Sequence, residues 1–229
     1  MATTAAQFVG VLKRCETPFH MLPVLFADEH LLVLNKPAGV LSVPGRGPDK
    51  QDCVLSRLHT HHPDALVVHR LDMATSGLMV FALHADSQRA LGMMFAAREV
   101  KKMYVAWVQG RLPVGDTWQT IDQALMADWP NRPLQKVDAH GKPSVTQWRC
   151  TQHHATKNAS MLQLMPLTGR SHQLRVHLQH IGHPILGDAL YAPHNQEADR
   201  LMLHACELGF VHPVTQHALH WHSPPDWAF

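Results

Sequence analysis

The segment His69-Arg70-Leu71-Asp72-Met73-Ala74-Thr75-Ser76-Gly77 places one carboxylate, Asp72, two residues after a guanidinium and ahead of a Thr-Ser-Gly run. Short apolar stretches flank it at 66–68 and 78–83, both read as strands. A carboxylate held in such a connection can serve as a nucleophile or as a general base. The same residue types also build an ordinary turn, because Asp, Thr and Ser hydrogen-bond their own backbone. A second group is Thr168-Gly169-Arg170-Ser171-His172-Gln173-Leu174-Arg175-Val176-His177. On a helix Arg175 follows Ser171 by four residues and His172 by three, so the three share a face. A guanidinium there can pair with a carboxylate from another part of a cleft, or face water as part of a solvated basic surface.

Histidines invite a third chemistry. His177, His180 and His183 are spaced by three, and His59, His61 and His62 cluster before Pro63. Gly182 is expected to end the helix between His180 and His183, and no acidic residue or cysteine lies among the three to complete a ligand set. No metal centre is expected.

The elements that must position these groups are mostly short strands. Apolar runs at 24–26 and 31–34 read as a β-hairpin. Two loops follow, Asn35-Lys36-Pro37-Ala38-Gly39 and Pro44-Gly45-Arg46-Gly47-Pro48. Asp52 is placed to cap a helix carrying Val54, Leu55 and Leu58, which stops near His62-Pro63. Ala90, Leu91, Met94 and Phe95 define one face of a helix at 86–98. Lys102, Tyr104, Ala106 and Val108 alternate with Met103, Val105 and Trp107 as a strand. Between 123 and 143 the breakers around Trp129-Pro130-Asn131-Arg132-Pro133 and Gly141-Lys142-Pro143 predict an exposed, basic loop excursion without regular structure. Strands resume at 145–151 and 161–164, and a helix at 171–180 is closed by Gly182 and Pro184. Many short strands with few helices imply an α+β fold with a mostly antiparallel sheet.

Composition narrows the function class. The 229 residues carry 20 Lys+Arg against 18 Asp+Glu, a net charge of +2, and 45% are hydrophobic. That excludes a disordered chain or a polycation while permitting a local basic cleft. Cys15, Cys53, Cys150 and Cys206 are far apart, with no CxxC pair, which fits a reducing cytosol better than a disulfide framework. No apolar run approaches the ~20 residues of a membrane span, and His20 and Pro23 interrupt the only stretch a signal peptide could use. A soluble, cytoplasmic protein is expected. The 20 histidines equal the fixed cations in number, so the charge climbs between about pH 7 and 5.5.

Four segments in order, Asn35 to Gly39, His69 to Asp72 with Thr75-Ser76-Gly77, Gly169 to Arg175, and Gly182-His183-Pro184-Ile185-Leu186-Gly187-Asp188, resemble the signature motifs of the RluA-type pseudouridine synthases. The resemblance runs from about Val24 to His222. Residues 1–23 have no counterpart and are taken as an extension, with 24–229 as the catalytic domain. Asp128 to Pro133 together with Tyr191-Ala192 is similar to the family members of dual specificity for tRNA and 23S rRNA.

The resemblance implies an isomerase that converts uridine to pseudouridine in RNA stem-loops, with no cofactor and no metal. Asp72 is then the catalytic carboxylate, by addition to ribose or base or by taking a ribose proton, and Arg175 is its ionic partner. Tyr104 stacks on the flipped base, although a strand tyrosine also serves simple packing. Extruding a base costs a few kcal/mol, and Arg70 fills the vacated stack. His69, Thr75, Arg170 and His172 complete the substrate side. Phosphate contacts are expected from Lys36, Arg46, Lys101, Lys102, Arg132, Lys136 and Lys142. His69, His172, His177, His183 and His204 fall in family segments, where they orient motif loops or pack near the cleft. Exposed imidazoles bordering the RNA would raise affinity as pH falls from about 7.5 to 6. The 34 residues before Asn35 are too few for the RNA-binding S4 domain that many relatives carry. A monomer is expected. An RNA chaperone that has lost activity and a histidine-based metal hydrolase are the alternatives.

Overall fold

The computed structural model describes residues 22–194 and 197–227. The expected extension falls outside them apart from its last two positions, and so does Cys15. Twelve strands and three α-helices follow one another: β1 Val24–Ala27, β2 Leu31–Lys36, α1 Val54–Leu58, β3 Leu66–Val67, β4 Ser76–Ala82, α2 Ala85–Ala97, β5 Lys101–Gln109, β6 Gln119–Asp122, β7 Leu125–Ala127, β8 Gln135–Val137, β9 Val145–His153, β10 Ala159–Pro166, α3 Gln173–His180, β11 Leu203–Val211 and β12 Ala218–His222. Ten strands make one sheet in the order β1-β2-β4-β11-β5-β10-β9-β6, with β3 on β4 and β12 on β11. Every pairing is antiparallel except β4 with β11. The expected α+β class with a mostly antiparallel sheet is what the chain forms.

Local chemistry explains the joints. Asp28 closes the first hairpin by accepting from the His30 and Leu31 amides at 2.8 and 2.9 Å. All seven residues of β4 are buried, as an apolar run in mid-sheet must be. At its start Gly77 has φ +120°, and a Cβ there would meet the Ala205 carbonyl oxygen at 2.4 Å. Only glycine permits that approach. It lets β4 pair in parallel with β11, Ser76 opposite His204 and Gly77 opposite Ala205. Ala205 in turn pairs with Tyr104 on β5. The Asp72 loop, which feeds β4, is thereby held near Tyr104.

Four expectations need correction. Cys53, not Asp52, caps α1: its Sγ accepts from the Ser56 amide while its own amide donates to Ser56 Oγ. Asp52 pairs instead with Arg57 at 2.6 Å. Helix α3 begins at Gln173, because His172 adopts a left-handed φ of 54° that no helix accommodates, so Ser171 is not on its face. The segment 123–143 is not an irregular loop but an arm, in which β7 and β8 pair through Leu125–Val137, Met126–Lys136 and Ala127–Gln135. Leu125 buries against Val176 and Tyr191, with Leu134 and Val137 packed alongside, which gives the arm an anchor despite its breakers. Lys36 is fully buried and cannot meet a phosphate.

Among the described residues no helix is long and apolar enough to cross a membrane. Cys53, Cys150 and Cys206 are buried free thiols. Tyr104 sits where two core clusters meet, packing against both.

Candidate active site

Asp72 stands on a loop tied down from below. Its carbonyl accepts from the Thr75 amide at 3.1 Å, which closes the turn, and the Met73 carbonyl accepts from the Gly39 amide at 2.9 Å. Ser42 Oγ donates to the Leu71 carbonyl at 2.6 Å and accepts from the Leu71 amide at 3.1 Å. Lys36 Nζ donates to the carbonyls of Pro37 and Val40, both at 2.8 Å, and of Met73 at 3.1 Å. Burial pushes the Lys36 ammonium down to about 7, the Asp72 charge opposing and the Arg200 charge adding to the effect. The lysine thus stitches the 36–40 turn to the Asp72 loop.

The Asp72 side chain remains 29% exposed, and its neighbours are cationic or polar. Arg175 Nη1 lies 3.4 Å from Asp72 Oδ2. The remainder of that guanidinium is bidentate to Asp188, with Nε and Nη2 donating at 2.8 and 2.7 Å. Asp188 is fully buried and also accepts from the amides of Leu190 and Tyr191 at 3.0 and 3.1 Å. Burial alone would weaken the hold of Arg175 on its proton. The Asp188 hydrogen bonds and charge, with a smaller share from Asp72, reverse this and leave its pKa raised. An arginine so fixed is a permanent positive charge beside Asp72.

His172 approaches from the other side, its Nε2 4.0 Å from Asp72 Oδ1. Its Nδ1 is 2.7 Å from the Tyr191 hydroxyl, which also accepts from the Gln135 amide at 2.9 Å. Because that amide occupies the phenol oxygen as an acceptor, the phenol proton is free to point at Nδ1. With the phenol donating to Nδ1, the imidazole proton sits on Nε2, facing Asp72. Burial keeps His172 neutral by lowering its pKa, with Asp72 opposing. Tyr191 also offers its ring to the Arg175 guanidinium, 5.0 Å from the centroid.

Tyr104 is half-buried, and burial together with the Asp72 charge raises its phenol pKa well above the ordinary range. Arg70 is exposed at the loop's edge. The structure therefore gathers Asp72, His172 and Arg175, with Tyr104 close enough to feel the Asp72 charge. Other expected residues have other surroundings. His69 accepts from the Val80 amide through Nε2 at 3.1 Å and stacks on Phe95 at 4.7 Å. Burial drives its pKa down to about 3. Thr75 is buried. Arg170 is exposed, its Nε 3.4 Å from the Pro143 carbonyl. Arg132 and Lys136 lie on the arm, the first over the Trp129 ring and the second 3.4 Å from Asp138.

Two residues were given no site role from the sequence, Asp188 and Tyr191, and Lys36 was given a different one from the support it provides. Each sits within a segment that carried the resemblance, so the signal was present as a motif without this role. Two of the candidate metal histidines are otherwise engaged. His177 contacts Thr146 Oγ1 and the Gln123 carbonyl, and His183 the Gln109 carbonyl. Among the described residues no group of three or more His, Cys, Asp or Glu side chains is arranged to hold a metal ion.

The chain is similar to known proteins over most of its length. Residues 30–180 match the family model for RNA pseudouridylate synthase. A Vibrio vulnificus protein named dual-specificity RNA pseudouridine synthase RluA is 47% identical over 204 residues, covering 86% of this chain and 79% of the relative. Its Escherichia coli K12 namesake is 45% identical over 209 residues, covering 90% and 94%. Among solved structures, human RNA pseudouridylate synthase domain containing 1 superposes with a TM-score of 0.74 at 28% identity, over 91% of this chain and 85% of that one. The extent of the family match and the identity to these relatives place this chain in the RNA pseudouridylate synthase family.

Proposed function

We propose that this enzyme isomerises uridines in stem-loops of 23S rRNA and in the tRNA anticodon loop, with Asp72 as the catalytic carboxylate. The observation that carries the reading is the buried Arg175 guanidinium 3.4 Å from a carboxylate that still reaches solvent. That carboxylate is ion-paired and at the same time open to a nucleotide. In the reaction the target base leaves its stack, the glycosidic C1′–N1 bond breaks, the base rotates, a C1′–C5 bond to the same ribose forms, and the C5 proton is then lost while N1 gains one. Asp72 either adds covalently to the sugar or base or removes a ribose proton. Nothing is oxidised or reduced overall, so neither route calls for a redox cofactor.

Tyr104 stacks on the extruded base and lies close enough to take part in the closing proton transfer. Arg70, exposed two residues before Asp72, fills the gap that the base leaves. His172 is a positioning residue that turns its Nε2 proton toward Asp72. His69 and Thr75, both packed behind the loop, serve the reaction by holding it rather than by touching RNA. Arg170, Arg132 and Lys136 are exposed cations suited to phosphates.

The catalytic domain is taken as 24–229, since β1 begins at Val24 and the sheet runs on to β12. We place the enzyme in the cytoplasm as a monomer. Incubating the purified protein with a synthetic tRNA anticodon stem-loop and a 23S rRNA hairpin, followed by pseudouridine mapping, tests the reading. Conversion in both is expected. Conversion in one alone would remove the dual specificity, and conversion in neither would overturn the assignment.

A further inference from the structure

The arm carries a feature that the catalytic residues do not use. Trp129 is 64% exposed, more than any other exposed large hydrophobic side chain among the described residues. It belongs to no core cluster; the arm is anchored by Leu125, Leu134 and Val137 against Val176 and Tyr191 instead. The Arg132 guanidinium lies 4.3 Å from the indole centroid and covers one face. Nearly two thirds of the side chain is left in water, so the other face is open.

The tip that presents this pair is ordered by its own hydrogen bonds. The Asp128 amide donates to the Leu134 carbonyl at 2.9 Å, the Leu134 amide to Asn131 at 3.0 Å, and Asn131 Nδ2 to Asp128 Oδ2 at 2.9 Å. It is also fixed relative to the active site. Gln135, the first residue after the tip, donates its amide to the Tyr191 hydroxyl, and that hydroxyl meets His172 beside Asp72. A hydrogen-bonded tip with an exposed indole is thus tied through Gln135 and Tyr191 to His172 beside Asp72.

We propose that Trp129, backed by Arg132, is a stacking platform for a second unpaired nucleobase of the RNA, distinct from the base over Asp72. An indole stacks on any base, and a guanidinium on its far face strengthens the ring's hold while its free N–H groups reach a phosphate. The inference rests on the chain acting on RNA.

The test uses the full-length enzyme and a tRNA anticodon stem-loop, with one loop nucleotide at a time made abasic. Affinity is read by fluorescence anisotropy and conversion by single-turnover kinetics at saturating enzyme. Wild type should lose about tenfold in affinity at one abasic loop position other than the target. Trp129→Ala should lose a similar factor on intact RNA and nothing further on that abasic RNA. Trp129→Phe, which keeps an aromatic face, should retain most of the affinity. Conversion at saturation should stay at the wild-type rate in both variants. Unchanged binding by Trp129→Ala, or a penalty that persists on every abasic RNA, would overturn the platform. A wild type that binds with this pattern yet converts nothing would count against the proposed reaction and support the platform.

Discussion

Arg175 is bound more closely to Asp188 than to Asp72: two bonds of 2.8 and 2.7 Å go to Asp188, and one nitrogen is left to reach Asp72 at 3.4 Å. The buried pair builds the site, and its surplus donor serves the exposed carboxylate. Arg175→Met should destabilise the fold by about 3–5 kcal/mol, because it strands the Asp188 charge in the interior. Asp72→Asn should cost less than about 1 kcal/mol, since that carboxylate is partly solvated and only loosely paired. Urea denaturation of the two variants measures the difference, and equal losses would contradict this division of labour.

Lys36 donates to three backbone carbonyls, of which that of Met73 also accepts from the Gly39 amide. Lys36→Met preserves most of the volume and removes all three bonds. It should cost about 2–4 kcal/mol, one to three per buried group partly offset by the relieved burial of charge. Activity should fall too, as the Asp72 loop loosens. Denaturation and turnover on a stem-loop check both, and a fully active, equally stable variant would show that the loop holds its shape without the lysine.

The chain from Gln135 through Tyr191 to His172 predicts a split in kinetic constants. Tyr191→Phe leaves the ring over Arg175 but deletes the hydroxyl that orients His172. Displacing a group that positions the reacting carboxylate should lower kcat between about tenfold and a hundredfold, with KM changed little. His172→Phe, which lacks any Nε2 proton, should show the same loss, and adding Tyr191→Phe to it should cost little more. Additive losses would mean that the two act separately.

Acid should weaken the fold through buried imidazoles. Burial lowers the pKa of His177 and His204, and brings His69 down to about 3 from a reference of 6.5. The unfolded chain therefore binds these protons first as pH falls below about 6.5, so their contribution to stability is present above that value and lost on the way down toward about 3. The Asp28 carboxyl, whose pKa His30, Leu31 and His212 together hold low, acts in the same sense at lower pH. The urea midpoint should drop between pH 7 and pH 5. A midpoint that is flat or rising over that range would contradict the burial of neutral histidines.

How much of this was legible in the sequence follows from where each element's instructions reside. The strands β1, β2, β4, β5, β9 and β10 and helix α2 carry their own apolar period, and their placement needed no partner. Strand β11 is different. It reads Leu-His-Ala-Cys-Glu-Leu-Gly-Phe-Val, with polar residues that become tolerable only once His204 meets Ser76 Oγ and the Ser223 carbonyl. The arm strands β7 and β8 are three residues each and owe their order to Val176 and Tyr191, far along the chain. The pairing of Asp72 with Arg175 came from resemblance, and the motif containing Asp188 was visible without its purpose. A bidentate partner 13 residues after the arginine is a fact of three dimensions that neither spacing nor composition expresses.

The central claim is that the Asp72 carboxylate performs the isomerisation. The most direct measurement is pseudouridine formation by Asp72→Asn in a tRNA anticodon stem-loop, read by release of label from the uracil C5 position, beside wild type at matched RNA occupancy. Asparagine keeps the shape and most of the hydrogen bonding but lacks the charge and the nucleophilicity. The predicted result is no detectable turnover, with RNA affinity within about threefold of wild type and an unchanged urea midpoint within error. Turnover at a rate comparable to wild type would contradict the account.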